Sequence, residues 1–115
     1  MRRLPVFLVL DVSESMAGEN IQLLHKGLHE LLRRLRADPH ALEMVHLSVI
    51  VFAGKARTLV PLQELCAFAP PRLSIGSGTA LGAALDHLMA EIDRQVVRST
   101  PDAKGDWKPV VYLMT

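Results

Sequence analysis

Apolar positions in this chain follow two rhythms, one of consecutive residues and one of helical spacing. Val6-Phe7-Leu8-Val9-Leu10 is apolar at every position, which predicts a strand covered on both faces. Ile21, Leu24, Leu28, Leu31, Leu32 and Leu35 then recur at helical spacing, with Lys26, Glu30, Arg33 and Arg34 on other faces. They predict an amphipathic helix to about Arg36, ended by Asp38-Pro39 because Pro disfavours helical geometry in the residue before it. Met44 to Phe52 is rich in Val and Ile and predicts a second buried strand, which completes a β-α-β crossover.

Ala53-Gly54-Lys55 reads as a tight connection to a short strand, Ala56 to Leu62, paired antiparallel. Pro61 marks it as an edge strand, since Pro cannot donate to a central ladder. Leu65 to Pro71 predicts an apolar loop or short helix. Gly76-Ser77-Gly78-Thr79 opens a second helix with Leu81, Leu85, Leu88, Met89, Ile92 and Val96 on its apolar stripe and Thr79 as N-cap. Ser99 to Lys108 is polar, and Val110 to Met114 predicts another buried strand. This alternation predicts an α/β fold with a mostly parallel sheet, whose ligands sit at the carboxyl ends of strands.

Composition narrows the function classes. At 115 residues, half of them apolar, the chain is the size of one domain with a sizeable core. A net charge of +1 gives no nucleic-acid footprint. No apolar run approaches the roughly 20 residues of a membrane span. The basic start and apolar run have the outline of a secretory leader, but the run contains Pro5 and leads straight into Asp11 and Glu14. The lone Cys66 has no internal disulfide partner, and among Leu65, Ala67 and Phe68 it reads as a small buried hydrophobe. The expectation is a cytoplasmic protein.

The candidate chemistry lies in Asp11-Val-Ser13-Glu-Ser15, directly after the first strand. One carboxylate and two hydroxyls at alternate positions present three oxygen ligands, suited to a hard cation such as Mg²⁺ more than to Zn²⁺. Asp and Ser are also common turn and N-cap residues, so a purely structural turn explains the same string. Thr79, behind a flexible Gly-Ser-Gly, is placed to reach toward the Asp11 loop. Glu14 alternates away from the ligands and reads as solvated. His25 and His29 are four apart on the first helix, beside its polar face, and read as surface histidines; His40, His46 and His87 form no cluster. Trp107 reads either as a partner anchor or as an aromatic packed beneath its own turn.

Asp11, Ser13, Ser15 and Thr79 together resemble the von Willebrand factor A domain and its metal-ion-dependent adhesion site. Further stretches, Leu47-Ser48-Val49-Ile50 with Phe52, Gly78 to Leu85 and Lys104 to Pro109, resemble the bacterial tellurite-resistance TerY type. The resemblance implies a three-layer Rossmann-like α/β fold spanning residues 1–115, truncated at the C-terminal side before the third, acidic metal-site loop. It implies a cation (Mg²⁺, or Mn²⁺ or Ca²⁺) held by Asp11, Ser13, Ser15 and Thr79, and a non-catalytic module binding a protein partner that offers an acidic side chain. It further implies a part in tellurite resistance or chemical-stress response, alongside phosphatase and kinase partners. Val110 to Met114 is then expected as an unpaired edge open to self-association.

Two other functions compete. A haloacid-dehalogenase-type phosphotransferase would use Asp11 as nucleophile, but Ser13 stands where a second Asp would act as acid and base. A nucleotide-binding loop at Gly76 to Gly82 needs a strand before it, and Pro70-Pro71-Arg72 leaves little room for one.

Overall fold

The computed structural model describes residues 2–115. Four strands, β1 (Leu4–Asp11), β2 (Val45–Phe52), β3 (Ala56–Glu64) and β4 (Val110–Met114), form one sheet in the order β3-β2-β1-β4. β1 runs parallel to β2 and β4, and β3 is antiparallel to β2. Helix α1 (Glu19–Ala37) covers one face and α3 (Leu81–Gln95) the other; α2 (Pro39–Met44) is a short helix before β2. The α/β class with a mostly parallel sheet is as expected.

Strand alternation builds both layers at once. Val6, Leu8 and Leu10 of β1 with Leu47, Val49 and Val51 of β2 face α1, meeting Leu24, Leu28 and Leu32. Phe7, Val9, Ile50 and Phe52 face α3, meeting Ala84 and Leu88. Leu65, Phe68 and Leu73 extend the first layer, and Arg36 ties their segment to α1 by donating to the Leu65 and Phe68 carbonyls. The polar face of α1 carries a fork in which Glu30 accepts from Arg33 and Arg34, pushing its carboxyl down to about 2. That fork is exposed and adds little stability.

Pro61 sits within β3 on the sheet edge, where Leu47 pairs Gln63 but Val49 pairs Val60, so β3 carries an extra residue as a bulge. Asp38 both ends α1 and caps α2, accepting from His40 N at 2.9 Å, with Pro39 in the first helical turn where no backbone donor is missed.

Several expectations change. Among the described residues β4 pairs only with β1, and Val110 to Leu113 are exposed, Tyr112 to 48%. It is the unpaired edge expected from the resemblance but not a buried strand. The apolar stripe of α3 is rotated: Ala84, Leu88 and Glu91 are buried while Leu81, Leu85 and Met89 stay exposed. Burial pushes the Glu91 carboxyl up, but donors from Arg94, Gln95 and Thr58 outweigh it and hold it below its ordinary value. Cys66 is exposed rather than buried, with its thiol 3.6 Å from Glu64 Oε2. Trp107 neither packs under its turn nor stands free, since its ring lies 4.0 Å from the Arg2 guanidinium.

Candidate metal centre

β1 and β2 run side by side in register from Leu4 opposite Val45 to Asp11 opposite Phe52. Their carboxyl ends therefore meet at one edge, and Val12 N donates to Phe52 O at 2.9 Å to continue the pairing one residue further. Asp11 is 4% exposed, and its Oδ1 accepts the Ser13 backbone N–H at 2.8 Å, bending the chain back toward the sheet end. Ser13 is 2% exposed, and its Oγ lies 2.9 Å from Ser15 Oγ. A 3-10 turn at Glu14–Met16 supports Ser15, with Met16 N donating to Ser13 O.

The second loop docks through its backbone onto the Asp11 loop and onto the β2-β3 connection. Gly76 N donates to Val12 O at 2.8 Å, Gly54 N to Ser77 O at 2.7 Å and Ala80 N to Ala53 O at 2.7 Å. Gly54 permits this approach, because a Cβ there would stand 2.7 Å from Ser77 O. Thr79 lies between the anchored positions and is exposed. It is not the N-cap of α3: Ala80 takes that place, with no side-chain cap bond. Gly78 N donates to Glu14 Oε1 at 3.3 Å, so Glu14, expected to be solvated, spans the two loops. Sequence spacing carries no signal for that contact, which exists only once residues 14 and 78 are adjacent.

The donor set fits a small hard cation. The Ser13 and Ser15 hydroxyls form a hydrogen-bonded pair 2.9 Å apart, close enough for both oxygens to meet one oxygen-preferring cation. Among the described residues no group of three or more His, Cys, Asp or Glu is arranged to hold a metal, so softer, nitrogen- or sulfur-rich sites have no counterpart.

The chain's residues 6–115 match the family profile of the von Willebrand factor type A domain. The chain belongs to that family. Its members are generally non-catalytic protein-binding modules with a metal site. No curated protein matches it. Among solved structures, it is similar to N-terminal domains of the type V pili tip protein Mfa5 from Porphyromonas gingivalis, with 20% identity and a TM-score of 0.64, over 98% of this chain and 19% of that one. An aerotolerance-related membrane protein from Bacteroides fragilis is 27% identical, with a TM-score of 0.54, over 94% of this chain and 52% of that one. Proximal thread matrix protein 1 from the mussel byssus, solved with a zinc-occupied MIDAS motif, is 20% identical, with a TM-score of 0.57, over 97% of this chain and 28% of that one. The chain thus spans from a fifth to about half of these structures' lengths.

Histidines of the von Willebrand domain also depart from expectation. His25 is half-buried and its Nε2 accepts the Leu73 backbone N–H at 3.2 Å, tying α1 to the segment before the second loop; His29 is exposed. His87 does have neighbours: Thr58 Oγ1 is 2.8 Å and Glu91 Oε1 3.8 Å from the same nitrogen, Nε2. A nucleophilic triad needs the acid on the opposite ring nitrogen, so this cluster is a tether between α3 and β3 and not a hydrolase site. Among the described residues no helix is long and apolar enough to cross a membrane.

Proposed function

We propose that this domain binds a protein partner through a divalent cation held by Asp11, Ser13, Ser15 and Thr79. The observation that carries the reading is the 2.9 Å spacing of the Ser13 and Ser15 hydroxyls beside the buried Asp11 carboxylate. Asp11 supplies charge and, through its bond to Ser13 N, shapes the loop. Ser13 and Ser15 contribute neutral oxygens, and Thr79 a further hydroxyl from the opposing loop. A cation held by a single carboxylate keeps net positive charge and so offers an external carboxylate a coordination position. Mg²⁺ is the preferred ion in this reading, with Mn²⁺ next, because the donors are all oxygens and only one of them is charged.

Titration calorimetry with Mn²⁺ tests the assignment. Asp11→Ala should lose at least about tenfold in affinity, since the only charged ligand is gone. Equal affinity in the two proteins would remove Asp11 from the site.

Finer placement rests on sequence stretches alone. The segments Leu47 to Ile50, Gly78 to Leu85 and Lys104 to Pro109 support a TerY-type, cytoplasmic protein of tellurite or chemical-stress response, working with phosphatase and kinase partners. Residues 1–115 in that reading are the N-terminal part of a longer domain fold. The exposed β4 edge, with Val111 and Leu113 facing the α3 layer, supports self-association by strand pairing.

A further inference from the structure

Beside the Asp11 loop lies a cleft of about 470 Å³. It is lined by Val12, between Asp11 and Ser13, by Ser74 and Ser77 of the second loop, and by Lys55 and Arg57 of the β2-β3 hairpin. No carboxylate lines it. Lys55 and Arg57 are exposed, and neither takes part in an ion pair among the described residues. Arg57 stands opposite Val51 on the edge strand, which places it on the α1 side of the sheet with the cleft.

We infer that this cleft is a second subsite for the partner segment that docks at the metal centre, and that it selects a segment bearing two acidic residues. One carboxylate meets the metal position; the second meets Lys55 and Arg57. The inference rests on the metal-dependent reading above for the first contact only. Charge complementarity carries the second: two unneutralised cations at the end of a cleft without acids attract an anionic group and repel a basic one. Ser74 and Ser77 line the same cleft and give the intervening peptide hydroxyl partners beside an otherwise largely apolar wall that includes Ile75. The domain's net charge of only +1 means that this selectivity is local to the cleft and not a property of the whole surface.

The test uses fluorescein-labelled peptides of Gly, Ser and Ala carrying either one Glu or two Glu at varied separations, with the full chain in Mg²⁺ and binding read by anisotropy. At least one two-acid peptide should bind about three- to tenfold tighter than the one-acid peptide, the size expected for two half-solvated ion pairs. Lys55→Gln with Arg57→Gln should abolish that preference, while Arg33→Gln with Arg34→Gln, which removes the same charge from the far surface of α1, should leave it. Thermal melts confirm that the variants fold, and reversal to Lys55→Glu with Arg57→Glu should shift preference toward peptides with Glu and Lys. Equal binding of all the peptides, or a preference surviving in the Lys55 and Arg57 variant, overturns the inference. Asp11→Ala separates the two readings: it should remove the Mg²⁺ dependence and the two-acid preference together, leaving weak binding of both peptides that Lys55→Gln with Arg57→Gln abolishes. Mg²⁺-independent binding of acidic peptides by the wild type, lost in the Lys55 and Arg57 variant, keeps the basic end of the cleft but overturns the two-site inference and sinks the metal centre.

Discussion

The carboxylate of Glu14 accepts the backbone N–H of Gly78 at 3.3 Å, one residue from Thr79, and so ties the loop of Asp11, Ser13 and Ser15 to the loop of Thr79. Glu14→Ala removes the tie and lets the Gly76-to-Thr79 loop sample other conformations, whereas Glu14→Gln keeps an acceptor oxygen. Exposed hydrogen bonds have small net worth, so Mn²⁺ affinity should fall only about two- to fivefold in the Ala variant and stay near wild type with Gln. Calorimetry distinguishes the causes. A Gln variant as weak as the Ala variant would assign the effect to lost negative charge instead of the tie.

At the opposite end of the sheet Arg3 grips Asp106, donating from Nε to Oδ1 at 2.9 Å and from Nη2 to Oδ2 at 2.6 Å. Asp106 also accepts from Val97 N at 2.8 Å, which joins the first strand, the end of α3 and the loop before β4. Hydrogen bonding from Arg3 holds the Asp106 carboxyl below its usual 3.8, against burial that pushes it up. A carboxyl lowered on folding stabilises the protein above its unfolded value, and that stability is lost as pH falls through the folded value. Asp106→Asn should therefore cost about 1–3 kcal/mol at neutral pH and flatten the fall in stability below about pH 4. Urea unfolding across that range measures both. Parallel pH profiles for the two proteins would show the pair to be idle.

Gly105, in the same loop, touches backbone that cannot yield. A Cβ there would lie 2.2 Å from Val97 O and 2.5 Å from the Arg98 carbonyl carbon. Its own carbonyl accepts from Arg2 Nε at 2.8 Å, and Arg2 stacks on Trp107. Gly105→Ala should cost about 2 kcal/mol or more and should shift the emission of the chain's single tryptophan to the red as the Arg2 stack opens. Unchanged emission with unchanged stability would mean that the loop relaxes freely.

The legible parts of this fold are those written in local pattern. Val6 to Leu10 and Val49 to Phe52 are apolar at consecutive positions because helices cover both faces, and Pro61 marks β3 as an edge strand by its missing donor. Asp11, Ser13 and Ser15 were visible because alternate positions in one loop carry the oxygens. What local pattern missed was set by neighbours distant in sequence. Ala84 is buried where a larger residue would not fit against Phe7 and Phe52, and Glu91 is buried because Arg94 and Gln95 satisfy it, so counting large apolar residues rotated the α3 stripe. Thr79 reads as an N-cap by composition, yet docking of Ala80 N on Ala53 O starts the helix one residue later. Whether Thr79 joins the cation is likewise a tertiary matter, since its loop is positioned by Gly54, Gly76 and Glu14 rather than by its own neighbours.

His25 offers a last handle on that positioning. With Nε2 accepting from Leu73 N, its ring proton must sit on Nδ1, and the bond fixes the buried Leu73 three residues before Gly76, whose own N–H holds the Asp11 loop through Val12 O. His25→Leu keeps the apolar bulk but leaves the partly buried Leu73 amide without its acceptor, at a cost of about 1 kcal/mol or more. Local rather than global loosening follows, because α1 retains Leu24, Leu28 and Leu32 in the core. Hydrogen exchange should then quicken at Leu73 and through Gly76 while amides in the middle of β1 and β2 keep their protection. Exchange rising equally everywhere would instead make His25 a contributor to the core, and unchanged exchange at Leu73 would show that the amide is held by packing of its own side chain.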